Sequence, residues 1–91
     1  MKRYVIERDI PGVGRMSGEQ LKHAAMTSND ALAKLAGKVQ WEHSYVAGDK
    51  TFCIYLADGE DSVREHARIS RFPANKITEA RTVIDPMTAT T

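Results

Sequence analysis

The chain has 91 residues with 42% hydrophobic and 27% charged side chains, a globular composition and a length for one domain that spans 1–91 and buries about 60–65% of its unfolded surface. Lys plus Arg is 13 against 12 for Asp plus Glu, a formal net charge of +1, which argues against binding a nucleic-acid backbone or an anionic membrane surface. A single cysteine, Cys53, excludes an internal disulfide framework, and the short apolar run Tyr4-Val5-Ile6 is neither a signal-peptide core nor a membrane span, so the expected location is the cytoplasm.

Residues 2–8 read as a strand, with Tyr4, Val5 and Ile6 between charged neighbours. Pro11-Gly12 and Gly14 then break regular structure. Ser17 followed by Gln20 has the spacing of a capping box, with Met16 and Leu21 at staple positions. Leu21, Ala24, Ala25, Ser28, Leu32 and Leu35 recur on one face, which predicts a helix over 17–36 ended by Gly37. Val39 to Ala47 and Lys50 to Leu56 form a predicted hairpin around Gly48-Asp49. A two-residue loop sets Ser44 opposite Cys53; a three-residue loop sets His43 there. One step of register flips every side chain, so both remain open.

Asp58 is the predicted cap of a second helix, with Glu60 and Asp61 in its first turn. Val63, His66, Ala67 and Ser70 share its inward face, and Pro73 marks its end. Residues 76–84 read as the last strand, and 86–91 as a loose tail. The order strand, helix, strand, strand, helix, strand predicts an α+β fold. It is the ferredoxin-like sandwich, a four-stranded antiparallel sheet with two helices on one face. The other face then exposes one or more of Trp41, Tyr45, Phe52 and Tyr55, which favours a symmetric homodimer.

No P-loop, dinucleotide fingerprint or nucleophile elbow is present. An RNA-recognition reading fails because Phe52 and Tyr55 have opposite parity on their strand and the required glycine is missing. Three residues can carry metal chemistry. His66 faces inward, either as a satisfied buried histidine or as a ligand or acid–base group. His43 and Cys53 lie on neighbouring strands, and on one face they would make a soft nitrogen–sulfur pair for nickel, zinc or copper. Glu7, Glu42, water or a second subunit would have to complete such a site. Nothing places a helix N-terminus beside Cys53 to activate its thiol, so no catalytic residue is assigned.

Several stretches together resemble a known family. They are Tyr4-Val5-Ile6-Glu7-Arg8, the hairpin from Val39-Gln40-Trp41-Glu42-His43 to Cys53-Ile54-Tyr55, Arg64-Glu65-His66-Ala67-Arg68, Phe72-Pro73-Ala74-Asn75 and Val83-Ile84-Asp85-Pro86. The chain resembles a family of small bacterial proteins that includes a nickel-responsive, nickel-binding actinobacterial member. The loop Gly12-Val13-Gly14-Arg15-Met16 is longer than that pattern. The resemblance implies a dimeric ferredoxin-like sandwich and a nickel ion as ligand, with His43, Cys53 and His66 the matching residues able to hold it. The expected function is a cytoplasmic, non-catalytic, nickel-binding homodimer. The alternative is a small-molecule binder or enzyme with a pocket near His66, which fold alone does not establish.

Overall fold

The computed structural model describes residues 1–90. Its elements are β1 (Lys2–Asp9), α1 (Gly18–Ala33), β2 (Val39–Val46), β3 (Lys50–Ala57), α2 (Glu60–Ser70) and β4 (Lys76–Ala80). Short 3-10 turns occupy Val13–Arg15 and Pro86–Thr90. The strands form one antiparallel sheet in the order β2-β3-β1-β4. This is the ferredoxin-like α+β fold that the element order predicts. Of the expected tail, 86–90 are an exposed 3-10 turn, and residue 91 lies outside the described residues.

Local chemistry explains most of the boundaries. Ser17 Oγ accepts from the Gln20 backbone N–H at 3.2 Å, and Gln20 Oε1 accepts from the Ser17 N–H at 2.8 Å, the predicted capping box. α1 stops three residues early because Lys34 and Leu35 tighten into i-to-i+3 bonds and Ala36 and Gly37 turn left-handed. α2 begins at Gly59 without a side-chain cap. Asp58 instead accepts from the Ser62 hydroxyl, so the predicted cap is one residue off and its carboxylate is engaged inside the first turn. β4 ends at Ala80, which pairs with Arg3, and its ladder with β1 goes no further. Val83 and Ile84 therefore stand exposed.

The hairpin register is settled by a two-residue loop: Ala47 N–H donates to Lys50 O at 2.9 Å, and Ser44 faces Cys53. An irregularity then falls at Glu42, because Trp41 pairs with Tyr55 while His43 pairs with Ile54. Without it, Trp41, His43 and Tyr45 would share a face. With it, Trp41 joins the helix side, and His43 and Tyr45 point to the open side. Of the four aromatics considered for the open face, Tyr45 and Phe52 lie there, and Trp41 and Tyr55 do not.

The core lies between sheet and helices. It contains Tyr4, Ile6, Cys53, Tyr55 and Ala57 from the strands, Leu35 and Val39 beyond α1, and Val63 from α2. Each large apolar side chain buried there contributes about 1.5–3 kcal/mol. The open face carries half-buried Val5, Phe52, Ile54 and Leu56 beside exposed Tyr45.

Candidate functional site

The amino-terminal half of α1 does not close on the sheet. After Leu21 its inward residues along the sheet are small, Ala24, Ala25 and Ser28, and the strand positions beneath are also small, Ser44, Thr51 and Cys53. Two facing small-residue walls cannot fill the space between helix and sheet to core density. The result is a pocket of about 340 Å³, within the range of small-molecule sites. Trp41 and Tyr55 form an aromatic wall, with ring centroids 6.4 Å apart and planes 24° from parallel. Phe72 and Pro73 close the end beside Arg8. The walls are almost wholly apolar.

The loop after β1 supplies the remaining side through Ile10, Val13 and Met16. It is tied to the hairpin tip: Gly14 N–H donates to Gly48 O at 2.9 Å, and Gly12 N–H donates to the Asp49 carboxylate at 2.7 Å. A Cβ on Gly14 would sit 2.5 Å from Ala47 O, a backbone atom that cannot yield cheaply. Gly14→Ala is therefore expected to cost about 1–3 kcal/mol and to shift Trp41 emission as the loop moves. Urea denaturation followed by fluorescence checks this. An unchanged midpoint would mean that the loop does not rest on the hairpin.

Arg8 is the unusual component. It follows Tyr4 and Ile6 at the inward parity of β1 and is 2% exposed. Its Nη1 donates to Pro73 O at 2.7 Å, while Nε and Nη2 meet no acceptor among the described residues. The guanidinium carbon lies 5.6 Å from the Phe72 ring centroid and 5.9 Å from that of Tyr55. Ring faces stabilise a cation by about 0.5–2 kcal/mol, well short of the several kcal/mol that desolvating one costs.

Behind the pocket, Ser28 Oγ lies 3.1 Å from His66 Nε2 and 3.4 Å from the Tyr55 hydroxyl. His66 is 1% exposed, and its Nδ1 has no partner. Burial, reinforced by the Arg8 charge and only partly offset by the Ser28 backbone, pulls the imidazole pKa down to about 4. The ring is thus neutral at pH 7. Burial pushes the Tyr55 phenol up, against the opposing pull of Ser28 and Arg8. The chain His66–Ser28–Tyr55 links α2, α1 and β3 as a neutral relay beside the pocket.

The three candidate metal ligands are distributed as follows. His66 is buried on α2, as its helical spacing predicts. Cys53 is buried on the helix side of β3, lining the pocket, with its sulfur 3.5 Å from Thr51 Oγ1. His43 is exposed on the opposite sheet face, edge-on to Tyr45 at 5.0 Å. Glu7 is paired with Lys50 and Glu42 with Arg3, so both carboxylates considered as further ligands already have cationic partners. Among the described residues, no group of three or more His, Cys, Asp or Glu is placed to hold a metal ion. Within one chain these residues do not fit a nickel centre. The sequence patterns above do not point to Arg8, although a charged residue at the inward parity after Tyr4 and Ile6 is a legible signal.

The fold and pocket define a small ferredoxin-like protein with a concave site between its first helix and its sheet. The chain belongs to the family described as nickel responsive protein SCO4226-like, whose model matches residues 4–80. Among solved structures, it is similar to SCO4226 from Streptomyces coelicolor A3(2), with TM-score 0.76 and 14% identity over 90% of this chain and 99% of that one. At that identity the likeness shows the fold. No curated protein matches. Among the described residues, no helix is long and apolar enough to cross a membrane.

Proposed function

We propose that this protein binds a small, largely apolar organic molecule between α1 and the sheet, without catalysing a reaction on it. The observation that carries the reading is the pocket of about 340 Å³ beside the His66–Ser28–Tyr55 chain. Polar groups are few and apolar walls extensive, the usual pattern of a ligand site. Trp41 is the only tryptophan and lines the pocket, so its emission reports occupancy directly. Titration with 1-octanol is expected to give a saturable change in Trp41 emission, and Ala25→Phe, which fills the pocket, is expected to abolish it. A response that persists unchanged in Ala25→Phe would sink the reading.

A second reading, nickel binding, is supported by the family's description as nickel responsive. With His43 turned away from Cys53, a nickel site would draw ligands from two copies of the chain, with His43, Cys53 and His66 as the candidates. The open sheet face, with Val5, Phe52, Ile54 and Leu56, supports pairing of two such copies. Sedimentation of the wild-type chain tests the homodimer. Calorimetry with nickel on chelator-stripped protein, repeated with His43→Ala and His66→Ala, tests the metal. Saturable binding lost in one variant names a ligand, and no heat at micromolar protein removes this reading while leaving the pocket intact.

A further inference from the structure

We propose that the pocket's ligand is a monocarboxylate, its carboxylate held side-on by Nε and Nη2 of Arg8 and its apolar body lying along the aromatic wall. The proposal rests on the small-molecule reading above and specifies the chemistry of the ligand's polar end. Arg8 lines the pocket, is 2% exposed and has one of its three nitrogens, Nη1, committed to Pro73 O. The two nitrogens without a protein acceptor, Nε and Nη2, belong to one edge of the guanidinium and are themselves buried, so a ligand reaches them by displacing the side chains that cover that edge. On that edge the N–H bonds run parallel, the spacing that two carboxylate oxygens match. The rings of Phe72 and Tyr55 near the guanidinium favour one orientation of the fork.

The charge count narrows the ligand further. Among the described residues no Asp or Glu lines the pocket, so none of them supplies a counter-ion there. No second arginine and no lysine lines it either, so one negative charge is matched and two are not. Beyond Arg8 the walls are Ile10, Val13, Leu21, Trp41 and their neighbours, which favour a hydrocarbon or aromatic body over a hydroxylated one.

The test compares octanoate with its neutral counterpart 1-octanol on the wild-type chain and on Arg8→Met, read by Trp41 emission and calorimetry. The wild type is expected to bind octanoate at least about tenfold more tightly than octanol, the scale of a charge-assisted bidentate pair. In Arg8→Met the preference is expected to vanish or invert while octanol binding persists, which also shows that the variant is folded. Octanol binding without an octanoate preference in the wild type would overturn the carboxylate assignment and leave the pocket reading standing. Failure of both probes to bind the wild type would overturn both. Tighter binding of octyl phosphate, largely a dianion at about pH 7.5, than of octanoate would also overturn it.

Discussion

Replacing Arg8 by methionine will make the protein more stable. Arg8 is buried with Nε and Nη2 unsatisfied, and Met keeps the unbranched stem of the side chain without the charged end. Desolvating an unpaired cation costs several kcal/mol. Against this stand the hydrogen bond to Pro73 O, worth roughly 1.5–3 kcal/mol for a charged donor, and the contacts with Phe72 and Tyr55. The balance favours Arg8→Met by about 1–3 kcal/mol, which for a chain of this size is a rise in melting temperature of about 4–8 °C per kcal/mol. Urea and thermal denaturation at pH 7 measure it. Such a gain marks Arg8 as a residue held for binding at the expense of stability. A loss of stability would mean that the guanidinium is a structural group, and the pocket would lose its recognition element.

The second large effect is acid sensitivity carried by His66. Its pKa is about 4 in the folded protein against 6.5 for the free side chain. Below pH 6.5 the unfolded chain takes up a proton that the folded chain refuses. The stabilisation is therefore fully present above pH 6.5 and is lost as pH falls toward 4, reaching roughly 3 kcal/mol. His66→Gln is expected to be less stable at pH 7, because Ser28 loses its imidazole partner, yet flatter in its pH dependence between 6.5 and 4.5. Carboxylates elsewhere contribute equally to both proteins, so the difference in slope isolates His66. Parallel slopes would show that the ring is hydrated and titrates normally.

Much of the fold was legible because it depends on neighbours along the chain. The Ser17/Gln20 capping box, the inward face of α2 with Val63 and His66, and the Gly48-Asp49 turn are local patterns, and the structure contains all three. The errors were also local in kind. Val83 and Ile84 suit a strand, which extends the expected β4 to residue 84, but a strand needs a partner, and the ladder with β1 ends at the Arg3–Ala80 pair.

The site was less legible. Ala24, Ala25 and Ser28 on one helix face could be read from the sequence, as could Ser44, Thr51 and Cys53 on their strands. That the two sets face each other and leave a pocket depends on how α1 rests on the sheet. A single extra residue at Glu42 turns Trp41 inward and His43 outward, and strict alternation would have kept them together.

The amino-acid sequence by itself determined the order of strands and helices, the capped start of α1, and the inward turn of His66. Each is set by helical or strand periodicity and by hydrogen bonds a few residues apart. Only the tertiary structure decided that Arg8 lies buried with no counter-ion among the described residues, that His43 and Cys53 occupy opposite faces, and that small side chains meet across a pocket. Those outcomes rest on which groups distant in the chain come to share a space, and short-range patterns carry no information about that.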